Sequence, residues 1–289
     1  MGEHQIEGSS VVTGATSGFG REVARHLAAE GHDLVLVARD RHRGDDLVAE
    51  LVAGPGSGRY HLLQADLSSV AEVAGLIDGI VALDRPVRLL VNNAGAVYGL
   101  RRRVSVDGIE ATIALNHLAP FQLTTALLDQ LGVEGVGRVI NVASDAYEFA
   151  GGRLDVGQIL AEQGYRPHRQ YGRSKLANIL FTHELDRRYR DDGLETVAWS
   201  PAGLTATRFG YGANRMAPLL MKLTHPFAAR TEDAVLPLLA LCSEDLTTIR
   251  GQFVCGDEVH PVTVCTDDDA ERLWEWSADL LAGIHRSTV

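Results

Sequence analysis

Ser10-Val11-Val12-Thr13 is a short β-branched run. It passes through Gly14-Ala15-Thr16-Ser17-Gly18-Phe19-Gly20 into a segment that sets Phe19, Val23 and Leu27 on one helical face. A strand, a glycine-rich turn and an amphipathic helix in that order open a βα unit. The alternation continues to the end of the chain. Leu34 to Ala38, Tyr60 to Gln64, Val87 to Val91, Val136 to Val142, Thr196 to Trp199 and Gln252 to Cys255 read as further strands. Helical stripes read at Val70 to Val81, Gly108 to Leu131, Tyr171 to Arg190, Thr231 to Cys242 and Asp268 to Leu281. The unbroken apolarity of Leu34 to Ala38 suits a sheet covered on both faces. The expected fold is α/β: a single doubly wound, Rossmann-type domain with a parallel sheet over residues 9–289, behind a flexible N-terminus at residues 1–8.

Two segments break the rhythm, Asp145 to Gln170 and Gly203 to Arg230. The second carries Phe209, Tyr211, Leu219, Leu220 and Leu223, with both non-initiator methionines, Met216 and Met221. Long irregular insertions in compact domains are often functional, and this one is too apolar for a solvated linker. Residues 203–230 are therefore expected to form a substrate lid. Two alternatives stay open: an interior helix, or the interface of a homo-oligomer.

Composition excludes several function classes. A net charge of -11 argues against nucleic acid as the main partner. No apolar run is long enough for a membrane span, and the N-terminus lacks the pattern of a signal peptide, so a cytoplasmic location is expected. Three cysteines and eleven histidines show no metal-ligand spacing, and no metal is expected.

The turn after the first strand lets backbone approach a pyrophosphate, whose charge the helix N-terminus favours. An acid at the end of the second strand would hold a free ribose 2′-hydroxyl. Here Ala38 is followed by Arg39, with Arg41 and Arg43 nearby. A guanidinium fork suits a 2′-phosphate, which favours NADP over NAD. Asp66 follows the third strand, where it can accept from an adenine amino group. Asn92-Asn93-Ala94-Gly95 follows the fourth, at the ligand-binding edge of the sheet.

Tyr171-Gly172-Arg173-Ser174-Lys175 sets a phenol and an ammonium four residues apart, on one face of a helix. Among 27 basic residues lysine occurs only at Lys175 and Lys222, so Lys175 stands out against an arginine-rich background. An ammonium near a phenol is expected to lower its pKa, fitting Tyr171 to exchange a proton with a carbonyl or alcohol oxygen.

Together, TGATSGFG at Thr13 to Gly20, NNAG at Asn92 to Gly95, Asn116, Ser144 and YGRSK resemble the short-chain dehydrogenase/reductase family, in that order. VDGIE at Val106 to Glu110 leading to Asn116-His117-Leu118, YGRSKLANILF at Tyr171 to Phe181, and Leu273-Trp274-Glu275-Trp276-Ser277 resemble its retinol dehydrogenase-like branch. The likeness runs from about Ser9 to Ala282. It implies Tyr171 as general acid/base, Lys175 as its pKa modifier and ribose ligand, Ser144 as hydrogen-bond partner of the substrate oxygen, and Asn116 as holder of a relay water. It further implies Gly14, Ser17, Gly18, Phe19 and Gly20 at the pyrophosphate, Arg39 at the 2′-phosphate, and Asp66 with Leu67 at the adenine. Asn93, Ala94 and Gly95 fall on the adenosine side. The loop Pro201-Ala202-Gly203-Leu204-Thr205 is implied at the nicotinamide carboxamide. It departs from the family's Pro-Gly pattern by one inserted residue, which leaves Thr205 and Thr207 as alternatives.

The resulting expectation is an NADP(H)-dependent ketoreductase acting on a bulky apolar carbonyl or alcohol. The alternatives are an oxidative alcohol dehydrogenase of the same family and a non-catalytic NADP-binding sensor.

Overall fold

A computed structural model describes residues 8–132, 137–203, 231–263 and 265–288. The lid expected at 203–230 lies, apart from Gly203, outside the described residues, as do Thr205 and Thr207.

The first strand, β1 (Ser9–Thr13), is buried along its whole length. It is followed by α1 (Gly18–Ala29), β2 (Asp33–Ala38), α2 (Arg41–Val52), β3 (Tyr60–Gln64), α3 (Val70–Val81) and β4 (Val87–Asn92). Side chains punctuate these helices: Asp40 caps α2 through the Arg43 amide at 3.1 Å, and Ser69 caps α3 through the Glu72 amide at 3.3 Å. Next come α4 (Ala111–Ile113), a π-turn (Ala114–Leu118) and α5 (Ala119–Ala126), then β5 (Gly137–Val142), α6 (Pro167–Tyr189) and β6 (Leu194–Ser200). The chain closes with α7 (Thr231–Ala234), α8 (Leu236–Ser243), β7 (Phe253–Cys255), β8 (Glu258–Val259) and α9 (Asp267–Thr288).

The sheet order is β3-β2-β1-β4-β5-β6-β7-β8. It winds outward from β1 on one side and from β4 on the other, so the crevice between their carboxyl ends is the topological switch point. Successive strand residues face opposite layers. Val11, Val35 and Val37 enter the layer under α3, α5, α6 and α9. Val12, Leu34 and Leu36 enter the layer under α1, α2 and α8. Both faces are thus covered, as the unbroken apolar strands require.

Four expectations are corrected. The sheet is parallel except at its end, where β8 pairs antiparallel with β7. The helix expected from Gly108 starts at Ala111, because Gly108 is left-handed (φ +78°) and Glu110 caps the helix. That helix is also broken by the π-turn, which contains Asn116. Finally, α6 begins at Pro167, whose missing N–H suits a first helical turn, so Tyr171 sits in the second turn rather than at the start.

Candidate active site

The glycine-rich turn after β1 and the Asn-rich turn after β4 flank the switch point and are joined directly. Asn93 Nδ2 donates to the Thr13 carbonyl at 2.8 Å, while Thr13 Oγ1 accepts from the Asn93 and Ala94 amides, each at 3.0 Å. Close approach explains two of the glycines. A Cβ on Gly20 would lie 2.4 Å from Asn93 Nδ2 and 2.5 Å from the Gly14 carbonyl oxygen. Gly14 itself is left-handed (φ +65°), with Ala94 Cα 3.0 Å from where its Cβ would be. Ser17 sits at the N-cap of α1, and its side chain makes no capping bond. Phe19 turns inward, edge-on to Trp199 at 5.3 Å, and so supports the turn from beneath.

Arg39 is exposed at the end of β2, and its carbonyl accepts from Gln64 Nε2 at 3.1 Å. Arg43 reaches back from α2 to the Thr16 carbonyl at 3.2 Å, bringing a second guanidinium to the same edge. Arg41 is spent on Asp45, 3.0 Å away. Asp66 commits one carboxylate oxygen to the Ser68 amide and hydroxyl, at 3.0 and 2.7 Å. Leu67 is buried in the core beside it.

Farther along the edge, Asn116, Gly95 and Lys175 converge. Asn116 is fully buried, and its amide forms a closed pair with Ala96: Nδ2 to the carbonyl at 3.1 Å, and Oδ1 from the N–H at 2.9 Å. The same Nδ2 lies 3.0 Å from Ser174 Oγ. A Cβ on Gly95 would fall 3.4 Å from Asn116 Oδ1 and 3.5 Å from Lys175 Nζ, so glycine leaves the space between them open. A π-turn is a frequent mark of a functional position in a helix.

Lys175 donates from Nζ to the Val142 carbonyl at 2.7 Å, at the end of β5. Burial lowers its pKa to about 7. Its Nζ lies 5.6 Å from the centre of the Tyr171 ring. Burial raises the Tyr171 phenol above its ordinary range, partly offset by a hydrogen bond with Ser144, with Asp145 pushing it further up. The sequence expectation of a phenol acidified by its neighbour is therefore overturned for the protein alone. The neighbouring amine is itself driven toward neutrality and spends a hydrogen bond on Val142.

Ser144 caps the short 3-10 turn Asp145–Ala150, its Oγ accepting from the Ala146 amide at 3.1 Å. Gly172, which sequence reasoning passed over, lets that turn lie against α6 beside Tyr171. A Cβ there would meet the Ala150 nitrogen at 2.6 Å and the Ala146 carbonyl oxygen at 2.7 Å. A glycine one residue past the tyrosine, inside a helix, was the available signal. Ser200, fully buried at the end of β6, accepts from the Asp145 amide at 3.2 Å and so fixes Pro201 beside the same turn. Gly203 is left-handed (φ +69°) and exposed.

This is the doubly wound α/β class that binds ligands at the carboxyl edge of its sheet, with its polar residues gathered along that edge. The chain belongs to the short chain dehydrogenase family, whose profile matches residues 9–216, and to its retinol dehydrogenase-like branch. It is 31% identical to human retinol dehydrogenase 12 over 274 residues, covering 94% of this chain and 85% of that protein. It is 41% identical to mouse polyprenol dehydrogenase over 279 residues, covering 92% and 81%. Among solved structures, a protein of Mycobacterium Paratuberculosis superposes with a TM-score of 0.73 at 28% identity, covering 95% and 93% of the two chains. A metagenomic blue fluorescent protein in complex with NADPH gives 0.65 at 25% identity, covering 86% and 97%.

Among the described residues, no helix is long and apolar enough to cross a membrane, and no group of three or more His, Cys, Asp or Glu is placed to hold a metal ion.

Proposed function

We propose that this oxidoreductase is an NADPH-dependent carbonyl reductase that reduces a ketone or aldehyde of a bulky, apolar small molecule. The observation carrying this reading is the convergence at the carboxyl edge of the sheet of the Tyr171 phenol, its hydrogen-bond partner Ser144 and the Lys175 amine, with the phenol protonated at neutral pH as the proton donor of a reduction must be. A dinucleotide fits the residues present. Gly14 and Gly20 keep backbone bare of Cβ atoms at the switch point, the α1 N-terminus favours phosphate, and Arg39 with Arg43 brings two guanidiniums to the end of β2. NADPH binding by the metagenomic relative supports the same assignment.

When bound, the cofactor supplies the hydride. This chain's residues do the rest. Tyr171 Oη gives its proton to the oxygen as negative charge develops there. Ser144 Oγ orients that oxygen and the phenol. Lys175, with a pKa near 7, can return a proton toward the tyrosine, and Asn116 holds the Ala96 backbone beside the amine. Asp66 and Leu67 serve the adenine side, Asn93 to Gly95 the adenosine wall, and Pro201 with Gly203 the nicotinamide end. Retinol and polyprenol, the alcohols in the relatives' names, are both isoprenoid, which supports an apolar substrate. The test is Tyr171→Phe assayed by NADPH oxidation across ketones, aldehydes and quinones. NADPH affinity should persist while turnover falls about a hundredfold or more. A mutant as active as wild type sinks the assignment.

A further inference from the structure

Two stretches far apart in sequence, Asn116-His117 in the π-turn and Leu273 to Ser277 in α9, meet inside the protein. His117 and Ser277 are both fully buried, with His117 Nε2 2.9 Å from Ser277 Oγ. The direction of this hydrogen bond follows from proton counting. Ser277 Oγ donates to the Leu273 carbonyl at 2.7 Å, and a hydroxyl has one proton to give. The geometry assigns Oγ as the acceptor and Nε2 as the donor of this contact, with the Asn178 side chain of α6 also set against the ring. Burial lowers the His117 pKa to about 3 against a smaller opposing effect of the Asn178 side chain, which leaves the ring neutral. The ring is walled in by Phe121 of α5 and Phe181 of α6, both 6.2 Å away, and Trp274 of α9 packs against both phenylalanines at 5.0 and 5.9 Å.

The residue before His117 is Asn116, whose side chain points the other way and grips the Ala96 backbone. A π-turn widens the helix by one residue and breaks the regular ladder of backbone bonds, so its geometry depends on what holds it from outside. One side of this turn faces the reacting centre; the other packs against α6 and meets α9 through His117.

We propose that His117 is a positioning residue: through Ser277 it ties the C-terminal helix to the π-turn, and so fixes Asn116 beside Lys175. The helix that ends the chain thereby becomes part of the reacting centre without touching it. The link to turnover rests on the carbonyl-reduction reading above; the link to π-turn geometry does not.

The experiment uses the full-length protein, wild type and the variants Ser277→Ala, His117→Gln and His117→Leu. Histidine 15N spectra should show a single Nε2–H tautomer for His117 in wild type, unchanged between pH 5 and 8. Removing the acceptor in Ser277→Ala leaves a buried donor unpaired, and amide hydrogen exchange across residues 113–119 should speed roughly tenfold. With NADPH and phenanthrenequinone as the probe, kcat should fall about tenfold or more while KM for NADPH stays within about twofold. His117→Gln, whose amide can still donate to Ser277, should recover most of what His117→Leu loses. Wild-type exchange over 113–119 in Ser277→Ala, an Nδ1–H tautomer, or equal behaviour of Gln and Leu at 117 would each overturn the proposal. The spectra and the exchange need no turnover, so they decide the coupling even if Tyr171→Phe proves fully active.

Discussion

Lys175→Met should make the protein more stable at neutral pH while removing its activity, and the size of the effect follows from one buried amine. Lys175 is enclosed within the structure, and its pKa falls from 10.5 to about 7. Each pKa unit is worth about 1.4 kcal/mol, so withdrawing this amine from water costs about 4 kcal/mol at pH 7. Methionine fills a similar volume without that cost, although the Val142 carbonyl then loses its donor, at about 1–3 kcal/mol. The expected net gain at pH 7 is about 1–3 kcal/mol. The sign of its pH dependence is fixed as well. Between pH 7 and 10.5 the unfolded chain binds a proton at this lysine that the folded chain does not, so wild-type stability rises with pH. By pH 9.5 the penalty shrinks to about 1 kcal/mol, and the advantage of the variant should fall by about 3 kcal/mol. Tyr171, with its raised pKa, acts in the opposite sense only near and above the ordinary phenol value of about 10, so the window to pH 9.5 isolates the lysine. Urea unfolding of both proteins at pH 7, 8 and 9.5, with no dinucleotide added, measures the difference. Stability curves that stay parallel from pH 7 to 9.5 would refute the reasoning.

Two further outcomes test the ends of the cleft. Arg39→Ala should weaken NADPH binding about tenfold by calorimetric titration, the loss expected of one charge-assisted contact, and leave NADH affinity unchanged; an equal loss for both would show that Arg39 does not read the 2′-phosphate. Because burial raises the Tyr171 phenol and lowers Lys175 to about 7, carbonyl reduction should decline above pH 7 as the amine loses the proton it returns, while alcohol oxidation, which needs the phenolate, should climb toward tenfold per pH unit. Measuring kcat/KM in both directions from pH 6 to 10 checks this, and an oxidation rate already level below pH 8 contradicts it.

What could be read in the sequence was what repeats with a local period. Val11-Val12, Leu34 to Ala38 and Leu89 to Val91 are buried runs, and buried parallel strands write themselves as such. The turn from Thr13 to Gly20 was legible because its glycines answer to contacts just across the switch point. The two-residue β8 carries no period at all, and the π-turn at Asn116 shifts the helical stripe by one residue without altering its composition. Arg43 was visible as a neighbouring charge, but its reach to the Thr16 carbonyl depends on how α2 leaves the strand.

The chemistry proposed for Tyr171 and Lys175 was the least legible part, and the reason is physical. Spacing on a helix can place an ammonium near a phenol, and from spacing alone the ion lowers the phenol pKa. The state of both groups is decided by desolvation, and desolvation is delivered by residues distant in sequence. Gly172 admits the turn from Asp145 to Ala150 onto α6 beside Tyr171, and the end of β5 supplies the Val142 carbonyl that takes the Lys175 proton contact. The amine, which alone would be charged at pH 7, is thereby moved toward neutrality, and the phenol, neutral already, is held so. A neutral phenol facing a half-protonated amine can pass a proton outward and receive one back with little separation of charge in a low-dielectric site, where separated charge is costly. The value of Lys at 175 over Arg follows from the same argument: a guanidinium stays charged under such burial, and only an ammonium can be tuned into the neutral range.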